Sequence, residues 1–217
     1  MGARAGARWI AVVAGSATAT AITLWSLGSV VEAASRSTTA PWLLGRAAGL
    51  ASYALLLALV ALGLLLAHPR RASWGHLSHG TRIRAHVALA VGTLVFTVLH
   101  VVVLVTDEYA GVGWAGLLPL GSSYRPVPVT LGVLGLWAGL AAGITAAAAG
   151  RWAARVWRPV HRVSAAALAL VWAHGFLAGS DSAAWAAWYA ITGAAVLALF
   201  VWRHSANPAA ALVGAGR

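Results

Sequence analysis

The stretch AHVALAVGTLVFTVLHVVVLVT, residues 85–106, decides how this chain folds. It contains no Asp, Glu, Lys or Arg, and as a helix rising about 1.5 Å per residue it is long enough to cross the roughly 30 Å hydrocarbon core of a bilayer. Two histidines, His86 and His100, lie within it. Because polar groups are costly in a bilayer, intramembrane histidines indicate a functional site.

The rest of the chain has the same character. Of its 217 residues, 61% are hydrophobic and 9% are charged, which excludes an ordinary soluble domain. Cutting at charged residues leaves six uncharged stretches of spanning length: Trp9–Val31, Ala47–Pro69, Ala85–Thr106, Pro126–Gly150, Val163–Ser180 and Ser182–Trp202. Since helices satisfy their own backbone in lipid, we predict an all-α integral membrane six-helix bundle, a single membrane domain over residues 1–217.

The arginines predict the orientation, because basic residues favour the cytoplasmic side. The net charge of +11 is carried between apolar stretches and forms no continuous patch, so it does not indicate a nucleic-acid partner. With both termini cytoplasmic, twelve arginines fall inside: Arg4, Arg8, Arg70, Arg71, Arg82, Arg84, Arg151, Arg155, Arg158, Arg162, Arg203 and Arg217. Three arginines (Arg36, Arg46 and Arg125) and all four acids (Glu32, Asp107, Glu108 and Asp181) fall outside. We therefore predict a multi-pass protein of the plasma membrane.

The first stretch has two interpretations. Arg4 and Arg8, an apolar run and then Val31-Glu32-Ala33 resemble a signal peptide with a cleavage site. The run is long for a signal sequence, which favours an uncleaved helix. Cleavage would leave five spans in the same orientation.

Four histidines lie on two spans that run in the same direction. His86 and His161 lie close to the cytoplasmic arginines, whereas His100 and His174 each lie seven residues before an outer aspartate. The separations of 14 and 13 residues correspond to about 21 and 20 Å along a helix. We predict two axial pairs, His86 with His161 and His100 with His174, each holding a haem iron.

The angle between the two histidines around the helix axis places them on a common face in only one of the two spans. His86 and His100 share a face to within about 40°, but His161 and His174 lie about 140° apart on an ideal helix. The fifth span must therefore contain a bulge or kink, or its side chains must reach around a tilted axis. We expect this span to begin near Arg158, with Pro159 in its first turn.

Three other interpretations compete with haem. The histidines could form hydrogen bonds between packed helices, or line a proton or metal transport path. Such paths usually include intramembrane Asp or Glu, which the spans lack. A purely structural or assembly subunit is the third alternative. The absence of cysteine excludes thiolate-ligated haem and iron–sulfur clusters bound by this chain.

These residues resemble the ferric reductase-like transmembrane domain, a family that includes ferric reductases, the membrane part of NADPH oxidases and the haem subunit of the periplasmic methionine sulfoxide reductase system. The 14 and 13 spacings are similar to the NADPH oxidase pattern. Leu44-Gly45-Arg46-Ala47-Ala48-Gly49-Leu50-Ala51-Ser52-Tyr53 resembles the family's start of helix two. The segments Arg82–His86 and Val160–Val163 resemble the basic residues and histidine found where helices three and five of that family begin. The similarity covers about residues 43–203.

The resemblance implies six helices and two b-type haems, and thus the electron-transfer subunit of an oxidoreductase. Many members continue into cytoplasmic flavin- and nicotinamide-binding domains, but this chain offers no soluble stretch that could supply them, and its G-x-G-x-x-G string at residues 111–116 lies in a loop between two apolar spans. We therefore expect electrons from a separate flavoprotein or from a quinol. The acceptor would be extracytoplasmic, such as ferric iron or a partner reductase.

Haem propionates are anionic and need basic partners. The predicted partners are Arg82, Arg84, Arg158 and Arg162 at the inner haem and Arg46 at the outer one, with Arg125 a weaker second. These arginines could instead reflect only the general excess of basic residues on the cytoplasmic side, or long side chains that extend to the membrane surface. Trp172 is expected either to pack on a haem or to fill the core. The other histidines (His68, His76, His79 and His204) are expected in cytoplasmic flanks, with His76 and His79 in a solvated loop.

Overall fold

The computed structural model describes residue 32 and residues 37–68, 78–148, 154–163 and 166–205. These residues form helices and turns, with no strand among them. The helices are α1 (Ala40–Leu66), α2 (His79–Thr106), α3 (Pro126–Ala147), α4 (Ala154–Val163), α5 (Ala166–Ala178) and α6 (Ala186–Ser205). A short 3-10 helix, Trp114–Leu117, lies in the loop between α2 and α3.

Five segments of the described chain are long and apolar enough to cross a membrane. They are α1, α2, α3, the stretch Arg158–Ala178 and α6. An all-α, multi-pass membrane protein is therefore confirmed. The predicted first span, Trp9–Val31, lies outside the described residues, so the six-helix count and the location of the termini stay predictions.

Two helices begin earlier than predicted, because charged residues do not end them. The first turns of α1 include Arg46, although the predicted span began at Ala47. The start of α2 at His79 is capped by Ser78, whose hydroxyl accepts a hydrogen bond from the backbone N–H of Thr81 at 3.1 Å. A serine in this position satisfies one of the unpaired N–H groups of the first turn.

The fifth candidate span begins at Arg158, as expected, but Pro159 does not lie in the first turn of its helix. Helix α4 begins at Ala154, which places Pro159 inside the helix rather than in its first turn. Proline has a helical φ but no N–H, so the helix continues through it at the cost of one backbone hydrogen bond. His161 and His174 belong to the separately described helices α4 and α5, and residues 164–165 between them lie outside the described residues.

The helices form two packed groups. Helix α2 packs against α1, while α3 packs against α4 and α5. Helix α1 also contacts α5 and α6, and so connects the groups. Helices α2 and α5, which carry His100 and His174, do not pack closely against each other along their length.

The buried core lies where α1, α5 and α6 meet. It consists of Tyr53, Leu168 and Tyr189, and the hydroxyls of Tyr53 and Thr192 share a hydrogen bond of 2.7 Å. Elsewhere the helices expose apolar side chains, as faces in contact with lipid do. On α2 these include Val87, Val91, Val95, Val98 and Val102.

Candidate metal centres

The structure brings the four histidines together as the predicted pairs. The ring centroids of His86 and His161 lie 6.2 Å apart, with their planes inclined at 64°. Those of His100 and His174 also lie 6.2 Å apart, with an angle of 79°. All four side chains are half-buried. Two similar pairs of imidazoles therefore face each other at two levels of the helix bundle.

The common separation fits a single metal ion between the two rings of each pair. Two metal–nitrogen bonds of about 2.0 Å, plus roughly 1 Å from each nitrogen to its ring centre, require centroids about 6 Å apart. Direct hydrogen bonding or ring stacking would bring the imidazoles closer than this. The observed 6.2 Å matches this value, and it also lies within the range of edge-to-face contacts between rings.

The number of protein ligands restricts the kind of metal centre. No group of three or more His, Cys, Asp or Glu side chains that could hold a metal occurs among the described residues. Structural and catalytic zinc sites usually need three or four such ligands. Two opposed imidazoles instead fit a metal whose remaining ligands come from a macrocycle, as in haem.

Hydrogen bonds orient the rings of the 100/174 pair. Nδ1 of His100 lies 2.7 Å from the carbonyl oxygen of Gly45, and Nδ1 of His174 lies 2.8 Å from that of Pro128. A carbonyl can only accept a hydrogen bond, so each Nδ1 carries the proton and donates it. The lone pair of each neutral imidazole is then on Nε2, where it is free to bind a metal.

His86 is held less tightly than the histidines of the 100/174 pair. Nδ1 of His86 is buried and has no hydrogen bond of good geometry, although the backbone carbonyl of Leu59 lies near the ring. His100 and His174 also have backbone carbonyls as partners, but at hydrogen-bond distance. Metal-binding histidines typically use their second nitrogen in this way.

The four predicted inner arginines lie at the end of the bundle that holds the 86/161 pair. Arg82, half-buried, stands one helical turn before His86 on α2, and Arg84 donates a hydrogen bond to the hydroxyl of Thr81 at 3.3 Å. On α4, the exposed Arg158 and Arg162 flank His161. Their role as propionate partners stays a prediction.

Arg46 has a protein partner that the sequence did not indicate. Its guanidinium forms an ion pair with Asp181, donates to the hydroxyl of Ser180 at 3.3 Å and lies 4.5 Å from the centre of the Trp42 ring. Burial alone would raise the pKa of Asp181, but the hydrogen bond and charge of Arg46 outweigh it and hold that pKa below its ordinary value. Arg46 therefore joins α1 to the turn after α5.

Sequence reasoning missed the role of Arg125 and Tyr124 in fixing the end of α5. Arg125 donates to the carbonyls of Leu177 and Gly179 at 2.7 and 3.3 Å, and the Tyr124 hydroxyl donates to that of Ala178 at 2.8 Å. The last carbonyls of a helix lack partners within the helix, and cations near them are favourable. These side chains thus cap the helix that carries His174. The isolated outer arginine was the only signal in the sequence.

The structure also defines the surroundings of Trp172 and His68. Trp172 fills the core: its indole N–H donates to the carbonyl of Tyr189 at 2.9 Å and its ring stacks on Phe176. His68 is buried: its side chain is only 1% exposed and its ring stacks on Trp202 at 3.8 Å. His76 lies outside the described residues. Local sequence cannot show that an aromatic from α6 covers His68.

Residues 48–172, more than half of the chain, match a protein-family model described as "Ferric reductase like transmembrane component". The match includes His86, His100 and His161, and it ends two residues before His174. It is narrower than the predicted core of residues 43–203. Neither curated proteins nor solved structures show a significant match to the chain.

Proposed function

The chain belongs to the ferric reductase-like transmembrane family, whose domain suggests electron transfer within a membrane, and from this premise we propose that it is a dihaem b-type cytochrome. One observation carries the proposal: two histidine pairs have the same 6.2 Å ring separation at two levels of the bundle. His86 and His161 would hold one haem iron, and His100 and His174 the other. Each haem would supply reversible one-electron chemistry that the protein side chains lack.

The residues around the pairs would prepare the ligands before haem binds. The carbonyls of Gly45 and Pro128 hold protons on Nδ1 of His100 and His174, which leaves Nε2 directed to the metal. Such bonds also make imidazole a stronger ligand. The surrounding apolar helices would keep water away and so tune the redox potential.

The distribution of charge gives the proposed pathway a direction. The arginines near the 86/161 pair would face the cytoplasm of a plasma-membrane protein, and Asp107 and Asp181 the outside. Electrons would enter from a flavoprotein or a quinol on the arginine-rich side. They would leave from the 100/174 pair to an extracytoplasmic acceptor such as ferric iron or a partner reductase.

Propionates would extend the assignment to the arginines. Arg82, Arg84, Arg158 and Arg162 would balance the charge of the inner haem. Arg46, already paired with Asp181, would contact a propionate of the outer haem while keeping its carboxylate partner. Arginine is suited to this because its fork offers five N–H donors.

The visible spectrum of the purified full chain tests the proposal. We expect reduced b-type bands and about two haems per chain by the pyridine haemochrome method. His100→Ala should lower this to about one, whereas His204→Ala, an exposed histidine at the end of α6, should leave two. A colourless wild-type protein reconstituted with haem available would refute the function and favour a haem-free proton or metal transporter.

A further inference from the structure

Three of the four histidines lie against a glycine on the neighbouring helix. A Cβ atom added to Gly49 would stand 2.7 Å from Nδ1 of His100, and one added to Gly132 would stand 2.8 Å from Nδ1 of His174. A Cβ added to Gly63 would stand 3.2 Å from Cε1 of His86. The first two distances are shorter than any ordinary contact of a Cβ atom, so alanine would displace the ring or the helix.

Each of these glycines lies four residues after the carbonyl that its histidine faces. His100 donates to Gly45 and lies on Gly49, and His174 donates to Pro128 and lies on Gly132. His86 repeats the arrangement with the carbonyl of Leu59 and with Gly63. The same arrangement thus occurs on α1 twice and on α3 once.

Helix geometry explains this spacing. The carbonyl of residue i points toward residue i+4, whose N–H it already accepts. The oxygen has a second lone pair that a side chain from another helix can reach. A side chain at position i+4 would stand beside that lone pair, so glycine at this position leaves room for an imidazole.

We infer that Gly49, Gly63 and Gly132 are positioning residues, which seat the histidine rings so that Nδ1 meets a helix carbonyl and Nε2 is presented to the haem iron. The inference rests on the proposed haem function. It adds that the ligand geometry is determined by the surfaces of α1 and α3, helices that provide no metal ligand themselves. The ring planes would follow from these seats, at 79° in the 100/174 pair and 64° in the 86/161 pair.

Helix α3 provides matched controls. It contains Gly139 and Gly143, and a Cβ added to either would meet nothing within 4 Å. All these substitutions replace glycine by alanine, which is the better helix former. A loss specific to Gly132→Ala therefore cannot arise from helix propensity.

The experiment measures haem per chain and the electron paramagnetic resonance spectrum of the oxidised full-length protein. Strongly inclined imidazole planes give a highly anisotropic low-spin signal, which changes when a ring turns. We expect two haems in the wild type, Gly139→Ala and Gly143→Ala, with unchanged spectra. Gly49→Ala and Gly132→Ala should each lose about half of the haem, together with the signal of the 100/174 pair.

Gly63→Ala is the milder variant. It keeps the inference testable if the Gly49→Ala and Gly132→Ala proteins do not fold. Its contact is less severe, so it should keep two haems while changing the signal and the midpoint potential of the 86/161 haem alone. Wild-type signals and potentials in Gly63→Ala, or two haems with wild-type signals in Gly49→Ala and Gly132→Ala, would overturn the inference and leave the proposed function intact. A wild-type protein without haem would overturn both.

Discussion

Arg46 of α1 forms an ion pair with Asp181 in the turn that follows α5. Each residue of this ion pair is close in sequence to a residue that contacts or belongs to the 100/174 pair. Arg46 follows Gly45, whose carbonyl accepts the proton of His100, and Asp181 lies seven residues after His174. The ion pair thus connects the two chain segments that position these histidines.

Acid should weaken this connection. The pKa of Asp181 lies below its ordinary value of 3.8, so the folded protein binds that proton less tightly than the unfolded chain does. The stabilisation is therefore fully present above about pH 4 and is lost as the pH falls through the folded-state pKa. For a pair this exposed we expect roughly 1 kcal/mol or less, decreasing with salt.

Thermal unfolding as a function of pH measures the effect. Asp181→Asn should lower the melting temperature near neutral pH and flatten its decline in acid. Glu108→Gln, which alters an exposed acid in the loop after α2, should retain the wild-type profile. An Asp181→Asn protein with the wild-type pH profile would contradict the prediction.

The cap on α5 should contribute to stability and to the 100/174 centre. Arg125 has a positive φ of 40°, a conformation that asparagine tolerates. Arg125→Asn therefore keeps the backbone preference but is too short to reach the carbonyls of α5. Because hydrogen bonds to charged groups contribute about 1.5–3 kcal/mol, we expect a loss within that range.

Differential release of haem tests the position of this cap. On heating, Arg125→Asn should release the haem of the 100/174 pair before the other, whereas Tyr124→Phe, which removes one neutral hydrogen bond, should have a smaller effect of about 1 kcal/mol. Equal destabilisation of both haems would argue against a local role for Arg125.

The hydrogen bond between Tyr53 and Thr192 should couple α1 to α6. Their hydroxyls are 2.7 Å apart within the buried core. Measured hydrogen bonds between membrane helices average about 0.6 kcal/mol and reach about 1.7. A double-mutant cycle of Tyr53→Phe and Thr192→Val, followed by unfolding in detergent, should give a coupling energy in this range. A cycle in which the two effects simply add would exclude the coupling.

Replacing His68 should destabilise the protein although the residue lies far from both pairs in sequence. Its side chain is almost completely buried on Trp202, so His68→Ala should leave a cavity and cost about 1–3 kcal/mol of unfolding free energy. His79→Ala, at the exposed start of α2, should change stability by about 0.5 kcal/mol or less. Similar melting temperatures for the two variants would count against burial of His68.

The uncharged stretches and the histidine spacing were sufficient to predict the helices and the matched depths. Both are properties of a single segment, because span length and rise per residue are local quantities. The predicted boundaries failed at Arg46 and Pro159. At Arg46, the predicted span was cut at a charged residue, but the helix includes this arginine, whose charge is paired with Asp181 from another element. At Pro159, the preference of proline for the first turn did not decide the boundary, because the helix continues through it.

By itself, the sequence determined that this protein is a bundle of membrane-spanning helices with histidines at two levels. Only the tertiary structure decided which partner each polar group has: Asp181 for Arg46, the end of α5 for Arg125, Trp202 for His68, and a carbonyl and glycine for each of three histidines. These partners depend on how helices rotate and approach each other. Residues distant in the chain carry no local signal of contacts that arise only after the helices pack.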